Sequence, residues 1–450
     1  MQPAADPSLR PVTAGAAMSA TSRGLVAVTG AVTTILVARL LGPAGAGAFA
    51  IAITLVVMLL TFATLGLEHG MAYHVSSGRW APRGALVTVT RVALVTGTTA
   101  ALVGLAVRLA VPSAFAGLST ASVALVVAAM PFVLLWHYRS YLALAVDRYE
   151  GFVVPPAVQS SVAMVLVLSC ALAFGLTGAL VALTLSHVAG ALATLRTVRR
   201  LPDAGGDGEP RQLARAVRFG LKGYAGNALQ LVNLRLDVFV LSAAVGAAAV
   251  GQLSVALAVV GVLWLLPHAL SEVVFPRVAT LSARADGQAE RAMVEAKGVR
   301  HAVLMISGGT AVIAAALLLL VVPVFGEAFR PAIELGLILL PGVALLGIGQ
   351  VLSAIIVGRG RPQYLLYAAL IVTPLTVAGY VLLVPALGAT GAALVKTLSF
   401  TLSFALSVVF HRRATGASLG VFVPTRDELD DLVRLPAQIR RWASGALRSR

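Results

Sequence analysis

Charged residues inside long apolar runs are where this sequence holds its chemistry. Arg235 and Asp237 lie in "LVNLRLDVFVL", Lys396 lies in "AALVKTLSF" and Arg139 lies in "LLWHYRSYLAL". A charged side chain at the centre of a membrane helix costs about 3 kcal/mol on insertion scales. We therefore expect each of these residues to face a cavity or a partner rather than lipid.

The run that carries Arg235 has a polar arc. At about 100° per residue, a third of the helix circumference is shared by Asn227, Gln230, Asn233 and Asp237. We expect this arc to line a cavity, and an interhelical hydrogen bond is the alternative for Asp237. Arg235 points to nearly the opposite side, so it either reaches round to the cavity or locks a neighbouring helix.

Lys396 and Arg139 each have a functional and a structural interpretation. Lys396 shares one helix face with Ser399, Ser403 and Ser407. A lysine at this depth favours a cavity, whereas serines alone are common in helix packing. Arg139 lies among aromatic residues, which are also typical of a membrane-interface belt. Its neighbours are Trp136, His137, Tyr138 and Tyr141.

Glu68 and Glu272 are candidate gate residues, because they end the second and eighth predicted helices on the same side of the membrane. Their expected partners are Arg277, Arg79 or Arg83. Ordinary placement at the membrane interface is the alternative.

The intramembrane charge is cationic overall, which suits an anionic substrate. Guanidinium groups bind phosphate or diphosphate through paired hydrogen bonds. The only cysteine is Cys170, within an apolar run, so a cysteine-based metal site or disulfide within one chain is excluded. We expect no catalytic residue, metal or cofactor.

Composition defines the elements that must position these residues. Of the 450 residues, 59% are hydrophobic and 12% are charged, and the net charge is +16. Recurring apolar runs of about 18 residues or more indicate membrane-spanning helices. The basic residues lie in the loops between those runs, so the charge does not indicate nucleic-acid binding.

The sequence predicts an all-α polytopic membrane protein with twelve spans. They are 24–41, 46–67, 85–111, 119–146, 152–174, 176–197, 217–244, 248–275, 299–323, 332–357, 363–384 and 386–410. Alternate loops are rich in arginine, which predicts that both termini are cytoplasmic. No cleaved signal peptide is expected at the N-terminus.

We predict five regions along the chain. They are a cytoplasmic N-terminal segment (1–23), a six-helix lobe (24–197), a cytoplasmic linker (198–216), a second six-helix lobe (217–410) and a basic amphipathic tail (411–450). In the tail, Thr425 and Glu428 form a capping-box pattern.

The two lobes share a repeat. "VARLLGPAGAGAFAIA" and "LSAAVGAAAVGQLSVA" align Gly42 with Gly246 and Gly47 with Gly251, and Glu68 then meets Glu272. "GLTGALVALTLS" and "GATGAALVKTLS" agree at seven of twelve positions. Because each half has an even number of spans, a parallel repeat about the membrane normal is expected.

Three stretches resemble polysaccharide (O-antigen type) flippases of the multidrug/oligosaccharidyl-lipid/polysaccharide (MOP) exporter superfamily. They are "VARLLGPAGAGAFAIAITLVVMLL", the segment from Leu234 to Ala279, and "ILLPGVALLGIGQVLSAIIVGRGRPQY". The resemblance implies a two-lobed cell-membrane transporter that moves polyprenyl-diphosphate-linked oligosaccharide to the outer leaflet. It also implies a cationic cavity, to which Arg235, Asp237, Lys396 and Arg139 would contribute. A polysaccharide polymerase or glycosyltransferases would be partner proteins.

Three other functions stay open. A multidrug/cation antiporter of the same superfamily would use cavity carboxylates such as Asp237. A membrane glycosyltransferase or ligase would need a large outer loop or an acidic metal cluster, neither of which the sequence shows. A scaffold that recruits proteins through its basic tail would tolerate alanine at the cavity positions.

Overall fold

The computed structural model describes residues 10–199, 201, 210–284, 287–425 and 428, and no β-strand occurs among them. The α-helices are α1 (Arg10–Thr64), α2 (Leu67–Ser76), α3 (Pro82–Ala110), α4 (Thr120–Val127), α5 (Met130–Ala145), α6 (Tyr149–Ala193), α7 (Leu195–Arg199), α8 (Pro210–Ala244), α9 (Ala247–Gly261), α10 (Leu265–Ser282), α11 (Gln288–Phe325), α12 (Pro331–Gly358) and α13 (Gln363–Thr415). Single 3₁₀ turns occupy Pro112–Phe115, Val262–Trp264, Glu327–Phe329 and Leu419–Phe422.

Eight helical stretches in the described part of the chain are long and apolar enough to cross a membrane. They are Thr21–Thr64, Pro82–Ala110, Thr120–Ala145, Tyr149–Arg199, Ala247–Ser282, Gln288–Phe325, Glu327–Gly358 and Gln363–Thr415. The prediction of an all-α polytopic membrane protein is therefore confirmed. α8 contains the predicted span 217–244 and is not among the eight, since its polar arc lowers its hydropathy.

Three of the long helices are each broken at a glycine with positive φ. The breaks lie in α1 at Gly42 (φ 66°, ψ −175°), in α6 at Gly175 (φ 58°, ψ −136°) and in α13 at Gly388 (φ 58°, ψ −135°). A side chain at positive φ is strained, so glycine suits these positions. Pro43 then begins the second segment of α1, where a helix needs no N–H donor.

Several predicted boundaries differ from the structure. The span predicted as 46–67 ends at Thr64, and α2 follows as a separate helix. The span 119–146 is divided between α4 and α5. The break predicted between the spans 363–384 and 386–410 lies at Gly388. The spans 248–275 and 299–323 belong to longer helical stretches. The ends of a helix are set by its backbone hydrogen bonds, whereas hydropathy identifies only the segment that is apolar enough to lie in lipid. The predicted and observed bounds therefore differ.

The predicted linker 198–216 is partly helical. α7 extends to Arg199, and α8 begins at Pro210, which occupies a position where the missing N–H costs nothing. Between these helices only Leu201 is described, and it is buried.

The helices divide into two compact units. The first comprises Met1–Val255, Val322–Pro331 and Tyr380–Ala392, and the second comprises Ala256–Val321, Ala332–Gly379 and Ala393–Arg450. α8 therefore groups with the helices of the first half of the chain. The division into lobes 24–197 and 217–410 stays a prediction.

The first unit has a core in which α2 packs closely on α8. Leu67 and Met71 of α2 are buried with Tyr138 of α5 and Ala216 of α8. A Cβ atom on Gly70 would lie only 1.9 Å from the carbonyl oxygen of Ala216. The absence of a side chain at Gly70 lets the two backbones approach, so α2 and α8 are held in direct contact.

In the second unit, a buried ion pair joins the ends of three helices. Arg359, just after α12, donates to both carboxylate oxygens of Glu295 in α11, from Nε and Nη2, each at 2.6 Å. Its Nη1 also donates to the carbonyl oxygen of Ala414 in α13 at 2.8 Å. Two parallel hydrogen bonds between one guanidinium and one carboxylate fix the relative orientation of the two side chains in addition to pairing their charges.

The start of the tail is attached to the same unit. The backbone N–H of Thr425 donates to the Glu428 carboxylate at 2.8 Å, as the capping-box pattern predicts. Arg300 of α11 lies 3.2 Å from the other oxygen of Glu428. The rest of the predicted amphipathic tail lies outside the described residues.

Candidate functional site

The polar arc on α8 runs from exposed to buried. Gln230 is exposed, Asn233 is half-buried and Asp237 is completely buried. Arg235 is exposed, so it occupies a different face of α8 from Asp237. The side chain of Asn227 lies outside the described part. On α8, therefore, the side chains of Gln230 and Arg235 are accessible in this conformation, and that of Asp237 is not.

Asp237 is close to a second buried polar residue. Tyr380 of α13 is fully buried in the same unit, near Asp237. An acidic residue without exposed surface in this conformation is not available to a soluble ligand. Asp237 would have to be uncovered by a movement of α8 or α13 before it could bind a substrate.

Lys396 lies in the second unit, on the last segment of α13, and is only 2% exposed. Ser403 and Ser407 on its face donate to carbonyl oxygens one turn earlier in their own helix, each at 2.9 Å. Ser399 accepts a hydrogen bond from Thr376 at 2.7 Å. The three hydroxyl groups therefore contribute to helix structure and packing here.

Arg139 is half-buried between α5 and α6. Its Nη1 donates to the hydroxyl of Thr194 at 3.3 Å. This contact joins the end of α6 to α5, which is the structural interpretation of Arg139. It leaves the other guanidinium nitrogens for further partners.

The two candidate gate carboxylates lie in different environments. Glu68 is 8% exposed in the first turn of α2, whereas Glu272 is exposed in α10. Burial raises the pKa of Glu68 above its usual value. This effect outweighs the backbone hydrogen bond and the neighbouring His69, which both lower the pKa. The guanidinium of Arg79, a proposed gate partner, lies 5.7 Å from the ring centre of Tyr73.

Histidines and tyrosines surround Glu68, a grouping that was not expected from the sequence. Nε2 of His69 lies 3.9 Å from Oε1 of Glu68, and the His69 ring makes an edge contact with Tyr141 at 5.3 Å. His137 contacts the same tyrosine at 5.1 Å. The "GLEHG" motif, an acid–histidine pair between glycines, was the available signal.

Segments from both halves of the chain meet within the first unit. A Cβ atom on Gly47 would lie 1.7 Å from the carbonyl oxygen of Ala247, and one on Gly251 would lie 2.0 Å from that of Pro43. The backbones of α1 and α9 therefore touch at the two glycines that the sequence repeat aligns.

Further contacts join the two halves in this unit. The N–H of Ala116 donates to the hydroxyl of Ser242 at 3.0 Å, and Phe115 packs against Phe239. Arg39 donates from Nε to the carbonyl oxygen of Val324 at 2.7 Å. All of these residues lie at helix ends that the predicted topology assigns to the outer side of the membrane.

The arrangement defines a class of protein: a polytopic helical bundle with broken helices and buried intramembrane charge, as in membrane transporters. Residues 12–282 match the family described as "Polysaccharide biosynthesis protein". This match spans more than half of the chain, and the chain belongs to that family, within the MOP superfamily. No curated protein matches the sequence.

Solved transporter structures share the fold. The lipid II flippase MurJ in an inward closed conformation matches with a TM-score of 0.75 at 11% identity, over 93% of this chain and 91% of that one. An inward-facing multidrug resistance MATE family transporter of the MOP superfamily gives 0.73 at 16% identity, over 87% and 94%. An outward-facing one gives 0.59 at 14% identity, over 90% and 96%. At these identities the likeness shows the fold alone.

Proposed function

We propose that this protein moves a polyprenyl-diphosphate-linked oligosaccharide from the inner to the outer leaflet of a bacterial cytoplasmic membrane, for surface polysaccharide assembly. The observation that carries the proposal is the polysaccharide biosynthesis family match over residues 12–282. The transporter fold supports it, since a flippase and multidrug transporters share that fold. A polysaccharide polymerase or glycosyltransferases would act before or after this transport step.

The transport architecture in this proposal is two six-helix lobes with twelve crossings and both termini in the cytoplasm. Matching backbone breaks support the repeat, because Gly175 and Gly388 have the same φ and nearly the same ψ. Asp147 and Gly360, which the same alignment pairs, also both have positive φ. The arginine-rich loops support the orientation.

The mechanism in this proposal is alternating access. The contact between Gly47 and Gly251 closes the outer ends of the helices, and separating them opens the outer side. Two states of this kind differ in which surfaces are buried, so a ligand that binds one state better shifts the population towards it.

The diphosphate would first contact the exposed guanidinium of Arg235, whereas Gln230 and Asn233 lie on the opposite face of α8 and would hydrogen-bond a different part of the substrate. Guanidinium groups match phosphate oxygens in charge and in geometry. Asp237 and Arg139 of the first unit would join this surface in another state, because Asp237 is buried and Arg139 is bonded to Thr194. Lys396, which is buried in the second unit, stays a separate candidate for binding the diphosphate. Glu272, which is exposed, stays a gate candidate.

A deletion strain tests the function. We expect it to accumulate one polyprenyl-diphosphate-linked oligosaccharide, detected by mass spectrometry of extracted lipids. Wild-type protein should clear that lipid, and an Arg235→Ala/Lys396→Ala variant should not. Arg413→Ala removes an exposed arginine outside the proposed binding surface and is the matched control. Unchanged lipids and unchanged surface polysaccharide in the deletion strain would refute the proposal.

The second candidate is a multidrug/cation antiporter of the same superfamily. The buried carboxylates of Glu68 and Asp237 favour it, because an antiporter exchanges its substrate for a cation bound at such groups. Drug efflux from cells that express the protein, with no change in lipid-linked glycans, would select this alternative.

A further inference from the structure

The start of α2 places one carboxyl group in an unusual position. Leu65 and Gly66 both have positive φ, at 50° and 72°, and α2 begins immediately afterwards. Glu68, two residues after Gly66, is buried in the first unit and is only 8% exposed. Oε2 of Glu68 has no hydrogen-bond partner among the described residues.

A buried carboxylate oxygen without a donor is costly when charged, and protonation removes the charge. Ionisable groups near Glu68 come from several helices. Glu68 interacts with His69 on α2, Tyr138 and Tyr141 on α5, and Tyr224 on α8, while His137 of α5 lies near His69 and Arg23 of α1 lies near Tyr141. α3 also packs on α2 and carries Arg83 and Arg91. Among them, Nε2 of His69 lies 3.9 Å from Oε1 of Glu68.

His69 connects this carboxyl group to water. Its side chain is 56% exposed, whereas that of Glu68 is 11% exposed. A histidine changes its protonation near neutral pH, so it can transfer a proton between solvent and a neighbouring group. The pair therefore has a solvent-facing proton carrier beside a buried proton acceptor.

The carboxyl group is also linked to the helix that carries the proposed binding surface. α2 contacts α8 through Gly66 against Gly220 and Gly70 against Ala216, with backbone atoms in direct contact. Charging or neutralising Glu68 changes the electrostatic energy of this packed pair. A proton bound at Glu68 can thus alter the position of α8, on which Arg235 and Asp237 lie.

We propose that Glu68 is the proton-coupling site of this transporter and that His69 exchanges its proton with the cytoplasmic solvent. The step forms an O–H bond on the Glu68 carboxylate with a proton taken from hydronium through His69, and release reverses it. This inference rests on the proposed transport function, and no redox partner is involved.

Infrared difference spectroscopy of the full-length protein in detergent, titrated with pH, tests the site without a substrate. A protonated carboxyl band should titrate above the ordinary range in wild-type protein and in Glu150→Gln, which removes an exposed carboxylate of α6. The band should be absent in Glu68→Gln and retained in Glu68→Asp. A band that persists in Glu68→Gln would overturn the proposal.

Proteoliposomes with a trapped pH dye test coupling. Addition of polyprenyl diphosphate should cause proton movement in wild-type protein and in Glu150→Gln, and this movement should be lost in Glu68→Gln although polyprenyl diphosphate still binds. His69→Ala should slow it. A flux that follows a sodium gradient and ignores pH would overturn proton coupling. If no variant binds polyprenyl diphosphate while the Glu68 band is present, the substrate proposal fails and the proton site stands.

Discussion

The contact between Gly47 and Gly251 gives the sharpest prediction about conformational change. Gly47→Ala places a methyl group 1.7 Å from the carbonyl oxygen of Ala247 and 2.8 Å from the nitrogen of Gly251. Relief of the first overlap to about 3.0 Å needs a separation of about 1.3 Å between α1 and α9. Overpacking of this kind costs about 1–3 kcal/mol. The substitution should therefore disfavour the closed contact by about 5–150-fold.

Cross-linking measures this contact directly. The Cβ atoms of Ala48 and Ala247 both lie within 3.3 Å of the position that a Cβ on Gly117 would occupy. In a Cys170→Ser background, Ala48→Cys and Ala247→Cys should form a disulfide in oxidising membranes. Adding Gly47→Ala should reduce the yield by about fivefold or more.

The control is Gly30→Ala, an identical change at a site of α1 where a Cβ would have no neighbour within 4 Å. It should leave the cross-linking yield unchanged. Equal cross-linking in Gly47→Ala and Gly30→Ala, with both proteins folded, would refute the assignment of this glycine contact as the closed state of the outer helix ends.

Three further predictions concern charge. Arg359→Ala leaves the carboxylate of Glu295 buried without its main partner and should lower the free energy of unfolding by about 3–5 kcal/mol, measured in detergent. A smaller decrease in the double variant Arg359→Ala/Glu295→Ala would support the pairing. No decrease in either variant would contradict it. Hydrogen bonds from Thr425, and then from Arg300, lower the pKa of Glu428 to about 2. The contact that attaches the tail should therefore persist at neutral pH and be lost as the pH falls below 4.5 towards 2, which limited proteolysis of the tail would measure. Proteolysis of the tail at a rate independent of pH would contradict this. The pKa of Glu68 is raised from 4.5, so stability should decrease as the pH rises through the folded value, and Glu68→Gln should abolish that decrease in a thermal unfolding series.

The faces of α8 were accessible to sequence reasoning. Residues two positions apart on a helix are about 200° apart, so Arg235 and Asp237 had to occupy different faces. The degree of burial was not accessible, because it depends on the neighbours of α8. Tyr380, which lies far along the chain, is one of the buried residues near Asp237.

The cluster around Glu68 shows why part of the site escaped sequence reasoning. Its groups come from α1, α2, α5 and α8, and their positions in the sequence have no fixed spacing. The repeat suggested that Glu68 and Glu272 would behave alike, yet one is buried and the other is exposed. A weak internal repeat preserves backbone geometry better than it preserves the environment of a side chain.

The sequence by itself determined that this chain is an all-α membrane protein, because hydropathy and the need to satisfy backbone hydrogen bonds in lipid leave few alternatives. Only the tertiary structure decided which glycines pack backbone against backbone, which charged groups are buried, and that His69 lies between solvent and Glu68. Those properties depend on contacts between helices distant in sequence, and helix periodicity carries no information about such contacts.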